Sequence, residues 1–289
     1  MKGLILLGGT GSRLWPITKS VNKALLPLYS KPSCYYSLSI LMLAKIREIA
    51  IITTPNDVSS FMNLFGDGSK WGCDFSYIVQ ENPEGIAQAF HLGKDFCKEE
   101  SSCLVLGDNF FYGHHFQDFL LSAKDHTEAT EEACIFGYKV PDPERYGVVL
   151  MNEEGVAIDL EEKPIAPKSP YAVPGIYFFP SGVCEEAKKL SPSRRGEYEI
   201  TDLNRVYMNN KKMRCKIMSR GISWFDTGTP DSLMEASSFV QAIEKRQSIL
   251  VCSPEEIAYR NGWITRKEVS ILARELKLNT YASLLDQIE

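Results

Sequence analysis

Residues 4–18, LILLGGTGSRLWPIT, leave an apolar run for a loop carrying Gly8, Gly9 and Gly11, and the loop then delivers Arg13 directly after the last of them. Glycine lets backbone N–H groups approach closely and converge on an anion, so a phosphate-bearing ligand is the expected guest. An arginine at that point can fork onto phosphoryl oxygens and neutralise charge that grows during phosphoryl transfer. Read alone, Arg13 fits a solvated surface position as well. Lys23, in NKALLPL (22–28), can reach the same phosphates and, read alone, is equally an ordinary surface lysine. Two familiar loops are excluded. The dinucleotide fingerprint needs glycine where Leu14 stands, and the ATPase P-loop needs it where Arg13 stands, with a Gly-Lys-Ser/Thr that is absent nearby.

The loop has to be held by the elements on either side. GLILL (3–7), IAIITT (49–54), FSYIV (75–79) and CLVLGD (103–108) are short apolar runs that read as strands. Amphipathic stretches at 33–45, 58–65 and 86–96 read as helices between them. Buried strands alternating with helices predict a doubly wound α/β sheet, mostly parallel, with its ligand edge at the carboxyl ends of the strands. The glycine loop and Asp108 lie at that edge. EACIFGYKV (132–140), YGVVLMN (146–152), VAIDLEEK (156–163) and YAVPGIYFF (171–179) then follow with turn-like connections and predict antiparallel or mixed strands added to the sheet. A helix is expected to about Asn209, then a hairpin-like pair around MRCKIMS and GISWFD. Beyond Pro230 the pattern is helical, beginning with a long run from Asp231 to Arg246. The expected division is a core of residues 1–229 and a helical region of 230–289 that packs on it.

With 32 Lys and Arg against 37 Asp and Glu in 289 residues, the net charge of −5 gives no reason to expect nucleic acid or an anionic membrane as partner. No window approaches the length of a membrane span and the first apolar run is too short for a signal peptide, so a cytoplasmic location is expected. Eight cysteines without a CxxC pair suggest reduced, buried thiols. The adjacent His114 and His115 are expected to diverge and not to form a metal site.

Taken together, GGTGSRLWPIT and NKALLPL resemble the signature of the sugar-phosphate nucleotidyltransferases. LGDNFFYG (106–113), DPERYGVV (142–149), LEEKP (160–164), RGEYEITDLNRVY (195–207) and WFDTGTPDSLMEAS (224–237) resemble, in order, the glucose-1-phosphate thymidylyltransferases, and the similarity continues through VQAIEKRQ (240–247) and EEIAYRNGWI (255–264). The resemblance covers nearly the whole chain. It implies a Rossmann-like, glycosyltransferase-A-like mixed sheet and the attack of a glucose 1-phosphate oxygen on the α-phosphorus of dTTP. The phosphate nucleophile is already ionised near neutral pH, so such a reaction needs positioning and charge neutralisation more than a base.

By the same resemblance Asp108 and Asp226 hold Mg2+, which favours hard oxygen ligands; Asp108 alone reads equally as a turn cap. Gly8, Gly9, Gly11 and Ser12 approach the nucleotide phosphates, Arg13 and Lys23 act at the reacting groups, and Asn109 stands beside the metal. Lys163 with Arg195 holds the sugar phosphate, although a strand-end ion pair with Glu161 or Glu162 and a solvated basic turn are the plainer readings of those two. Tyr146, Gly147, Glu162, Val173 and Gly175 border the sugar. Gln80 reads the base, for which its amide can accept from N3–H and donate to O4 of thymine or uracil, and Gly85 leaves room for the ring. Leu7, Trp15, Asn22, Ala24 and Pro174 depart from the family pattern. The resemblance further implies a homotetramer and a regulatory nucleotide site. A sibling enzyme using UTP or GTP, and a nucleotide-sugar-binding regulator without turnover, are the competing readings.

Overall fold

In the computed structural model, which describes residues 1–277 and 279–288, ten strands form one mixed sheet. The strand Lys2–Leu6 lies centrally, parallel to Glu48–Thr53 on one side and to Ser102–Leu106 on the other, with Asp74–Val79 at the far edge. This is the parallel half read from the apolar runs. Beyond Ser102–Leu106 the sheet turns antiparallel through Ile176–Phe179, Ala133–Lys139, the two-residue strand Tyr171–Ala172, Gly147–Met151 and Ala157–Glu162.

Four local expectations are corrected. The segment 171–179 is two strands, because Pro174 offers no N–H to a ladder and the Gly175 N–H instead donates to Asn109 Oδ1 at 3.1 Å. The helix expected over 86–96 is broken at Gly93 into Gln88–Leu92 and Lys94–Cys97; a Cβ at Gly93 would stand 3.1 Å from Leu4 Cδ2 of the central strand. The strands Met213–Ile217 and Ile222–Asp226 do not pair with each other. The first joins the main sheet parallel to Ala133–Lys139, and the second pairs antiparallel with Asn109–Gly113, a strand hidden in the sequence inside LGDNFFYG. Finally, the rings of His114 and His115 do not diverge but lie 3.8 Å apart, because His115 adopts a left-handed backbone with φ of 60°.

The helix Ser33–Leu43 is buried on every side rather than along one face. Its second cover is the C-terminal region, where Pro230–Gln247, Pro254–Arg260, Arg266–Glu275 and Thr280–Leu285 are helical. Leu250, Ile257, Ile264 and Val269 share one apolar cluster with Ile5, Leu38 and Leu41. Ser39 Oγ, inside the buried helix, lies 2.7 Å from the Tyr35 carbonyl and 2.8 Å from the Cys252 carbonyl, so its one hydroxyl proton is shared between the two regions. All eight cysteines are free thiols, seven of them buried. No helix among the described residues is long and apolar enough to cross a membrane.

Candidate active site

Asp108 and Asp226 are 118 residues apart in sequence and adjacent in space for a topological reason. Ser102–Leu106 ends at the sheet's ligand edge, the chain turns through Gly107 and Asp108, and it leaves as the strand Asn109–Gly113. The antiparallel register sets Asp226 opposite Asn109. Thr227 seals the join: its N–H and its Oγ1 both donate to the Asp108 carbonyl, each at 2.9 Å. Both carboxylates consequently border the same cleft, within electrostatic range of each other. Burial and then the charge of Asp108 push the Asp226 carboxyl above the usual range, against the pull of Arg13, Lys23 and Arg145. Burial also opposes ionisation of Asp108, but Lys23 and the Asn109 amide prevail and hold that carboxyl below its usual range.

Lys23 Nζ contacts Asp108 Oδ2 at 2.5 Å. Lys23 opens a short helical turn, Lys23–Leu25, which Asn22 caps by accepting from Ala24 N–H at 2.9 Å. The other side of the Asn22 amide donates to the Leu7 carbonyl at 2.9 Å and to Asp57 at 2.7 Å. A departure from the family pattern thus pins the lysine turn to the end of the first strand. Asn109 is equally committed: Nδ2 donates to Asp108 at 3.0 Å, and Oδ1 accepts from Gly175 N–H and from Trp224 Nε1 at 2.6 Å.

Beside the carboxylates opens a cleft of about 190 Å³. Arg13, Asp108, Asn109, Tyr146, Gly147, Glu162, Lys163, Val173, Gly175 and Asp226 line it, bringing together ten of the residues singled out from sequence. Arg13 comes from the glycine loop, where Gly9 and Gly11 have φ of 97° and 59°. Trp15 points away into solvent with the Lys19 amine over its ring. Gln80 is buried at the end of Asp74–Val79 and lies against Gly8, where a Cβ would stand 2.2 Å from Gln80 Oε1. At Gly85 the crowding comes from protein: with φ of 110°, a Cβ would meet the Tyr198 carbonyl oxygen at 2.5 Å.

Lys163 stands exposed, 4.0 Å from Glu162, close to the ion pair that was its plainer reading. Arg195 does not line the cleft. Its guanidinium is held by both Glu199 oxygens at 2.7–3.0 Å, with Glu197 at 3.2 Å and Glu162 at 3.7 Å.

Sequence reasoning missed Arg145, Thr201, Asn204 and Trp224, which also line the cleft. Thr201 donates to Glu162 at 2.6 Å and so orients it. Asn204 Oδ1 is buried without a hydrogen-bond partner among the described residues, leaving an acceptor for a guest hydroxyl. Thr201 and Asn204 fall three apart at the start of the helix Ile200–Asn209, a spacing that puts both on one face and was available as a signal. No cluster of three or more His, Cys, Asp or Glu suited to a metal occurs among the described residues.

Residues 2–243 match the model of the nucleotidyl transferase family. The chain belongs to that family. It is 50% identical over 285 residues to the glucose-1-phosphate thymidylyltransferase of Neisseria meningitidis, covering 99% of this chain and 98% of the relative. Among solved structures, a Bacillus anthracis protein described as a glucose-1-phosphate thymidylyltransferase, in complex with sucrose, superimposes with a TM-score of 0.76 at 40% identity, covering 83% of this chain and 94% of that one. A UDP-glucose pyrophosphorylase complexed with UDP-glucose gives a TM-score of 0.74 at 26% identity, covering 85% and 99%.

Proposed function

We propose that this nucleotidyltransferase transfers a thymidylyl group from dTTP to glucose 1-phosphate, giving dTDP-glucose and pyrophosphate for deoxysugar biosynthesis such as the dTDP-rhamnose route. The observation that carries the reading is that Asp108, Asp226 and Arg13 border one cleft while Lys23 pairs with Asp108. A phosphate oxygen of glucose 1-phosphate forms the new bond to the α-phosphorus, and the bond from that phosphorus to the β-phosphate bridging oxygen breaks, the electron pair leaving with pyrophosphate. Near-identical chain lengths and 50% identity to the Neisseria meningitidis enzyme support the choice of substrates.

The carboxylate pair suits a divalent cation. Its donors are hard oxygens, and a bound cation would offset both the burial and the Asp108 charge that hold the Asp226 carboxyl above its usual range. Asp108 and Asp226 would hold Mg2+, which when bound would supply charge neutralisation at the α-phosphate. Arg13 offers its guanidinium to the departing pyrophosphate, and Lys23, now on Asp108, lies within the same group of charges. Gly8, Gly9, Gly11 and Ser12 admit the triphosphate along the loop. Lys163, exposed at the cleft edge, takes the sugar phosphate, with Arg195 one carboxylate removed from it through Glu162. Tyr146, Gly147, Glu162, Val173 and Gly175 border the sugar, and Gln80 with Gly85 borders the base. From the family resemblance we further infer a cytoplasmic homotetramer, a catalytic core of residues 1–229, and assembly and regulation through residues 230–289.

Pyrophosphate release from a matrix of nucleoside triphosphates and sugar 1-phosphates tests the assignment. Turnover should be highest with dTTP and glucose 1-phosphate and should require Mg2+. UTP is the informative rival, because N3–H and O4 do not separate thymine from uracil; turnover confined to GTP and mannose 1-phosphate would sink the proposal. Asp226→Asn should lower kcat at least about 100-fold while leaving Tm unchanged or raised, since it removes one of two mutually repelling carboxylates.

A further inference from the structure

Gln80 borders the base in the proposed function, and its neighbours acquire a role only on that reading. An amide presents an acceptor on one side and donors on the other, and its partners decide which side faces where. Gln80 Nε2 donates to Gln88 Oε1 at 2.6 Å. The orientation of Gln88 is fixed twice over, by groups that have no choice of role. The Glu84 carboxylate can only accept, and it takes Gln88 Nε2 at 2.9 Å. The Glu84 backbone N–H can only donate, and it gives to Gln88 Oε1 at 3.0 Å. Gln88 therefore shows its oxygen to Gln80, and Gln80 answers with its NH2 group.

The remaining amide oxygen, Gln80 Oε1, is the atom packed against Gly8, the first glycine of the nucleotide loop. Glu84 is itself held in place, because its carbonyl accepts from Tyr198 N–H at 2.6 Å while the Tyr198 carbonyl accepts from Ala87 N–H at 3.0 Å. Gln88 is buried in the first turn of its helix.

We propose that Glu84 and Gln88 are positioning residues that lock the Gln80 amide with its acceptor toward the Gly8 side of the nucleotide site, so that selection between pyrimidines is set by this relay. Thymine and uracil offer N3–H to the fixed acceptor and O4 to the second hydrogen of Nε2. Cytosine reverses both groups, with an acceptor at N3 and an amino donor at C4. A free glutamine could turn its amide over and accept cytosine. The relay opposes that turn, because a reversed Gln80 would set its oxygen against the oxygen of Gln88.

The test compares kcat/KM for dTTP and dCTP, with glucose 1-phosphate, in the full-length protein. Gln88→Leu removes the lock and should raise KM for dTTP about tenfold, keep kcat within about twofold, and lower the dTTP-to-dCTP ratio about tenfold or more. The exchange Glu84→Gln/Gln88→Glu keeps an acceptor toward Gln80 and moves the donor of the other contact to residue 84, so it should keep the ratio within about threefold of wild type. Gln88→Lys, which only donates, should draw Gln80 Oε1 to itself and lower the ratio at least as far as Gln88→Leu, and it replaces that variant if the leucine protein does not fold. An unchanged ratio in Gln88→Leu or Gln88→Lys overturns the proposal, as does a Glu84→Gln/Gln88→Glu protein that loses selectivity as fully as they do. Gln80→Leu separates this from the underlying reading. If it leaves KM for dTTP unchanged, Gln80 does not border the base; if it raises KM while the Gln88 variants keep the ratio, only the relay fails.

Discussion

Gly228 occupies the narrow space between two of the charges on which the proposed chemistry depends. A Cβ there would stand 3.0 Å from Arg13 Nη2 and 3.0 Å from Asp226 Oδ1. Its backbone is not in the left-handed region, so alanine meets no conformational penalty; what must yield is the guanidinium or the carboxylate. Both are ends of side chains that can move by a few tenths of an ångström at little cost to stability. Gly228→Ala should therefore lower kcat about tenfold, the scale on which small misplacements of catalytic groups act, while Tm stays within about 2 °C in a thermal melt. A fall in Tm with kcat intact would mean that the glycine serves packing instead. At this scale the sequence was most informative where a charged residue stands in a recognisable motif, as with Arg13, Asp108 and Asp226, which the fold brings to one cleft. It was silent on Trp224 and Asn22, whose roles are hydrogen bonds to partners 115 and 15 residues away.

At the level of elements, the segment that follows Lys23 is fastened to the C-terminal region by a buried ion pair. Lys31, in the short hairpin formed by Pro27–Leu28 and Lys31–Pro32, meets Glu244 of the helix Pro230–Gln247 at 3.3 Å, with both side chains 3% exposed. Glu244 also accepts from Val251 N–H at 3.0 Å and Ser30 Oγ at 3.2 Å, and the Lys31 amine sits 4.3 Å from the Tyr36 ring centre. Burial holds the Lys31 amine below its usual range, against the charge of Glu244. Such a pair adds little over an apolar contact, but removing one partner strands the other. Lys31→Met should cost about 3 kcal/mol, measured by urea unfolding. Without the lysine, the Glu244 carboxylate keeps only the Val251 N–H and the Ser30 hydroxyl as partners. Lys31→Met/Glu244→Gln should accordingly recover part of the loss. A double variant no more stable than Lys31→Met would show that the carboxylate is not stranded. Neither this pair nor the pairing of Asn109–Gly113 with Ile222–Asp226 was legible beforehand. Hydrophobic periodicity reports which segments are strands but not which strands meet, and so MRCKIMS and GISWFD suggested a hairpin that the chain does not make.

The fold class, most of the strands and helices, and the mixed character of the sheet were legible, because apolar runs and turn signals fix them locally, whereas the strand Asn109–Gly113 and the helix Phe116–Thr130 were not. The connection between distant sites was not. The two-stranded ribbon of Asn109–Gly113 and Ile222–Asp226 has Asn109 and Asp226 at one end and Gly113 and Ile222 at the other. The second end borders a cleft of about 660 Å³ walled by Tyr112, Gly113, His114, Gly221, Glu256 and Arg260, where Arg260 pairs with Glu256 at 2.7 Å. This cleft is the place we propose for the regulatory nucleotide site. An occupant that displaced the ribbon at Gly113 and Gly221 would move Asp226 against Asp108, since the ladder between them is continuous and Thr227 is bonded to the Asp108 carbonyl. Binding there can slow turnover only to the extent that the occupant favours the displaced ribbon. A dTDP-linked deoxysugar should thus inhibit with a pattern that saturating dTTP does not abolish. Arg260→Ala, which removes the cation best placed for a diphosphate, should raise the inhibitor concentration needed by about tenfold or more and leave uninhibited kcat within about twofold. Inhibition that is purely competitive with dTTP and insensitive to Arg260→Ala would place the inhibitor in the cleft beside Asp108 instead, and would leave the ribbon without a regulatory part.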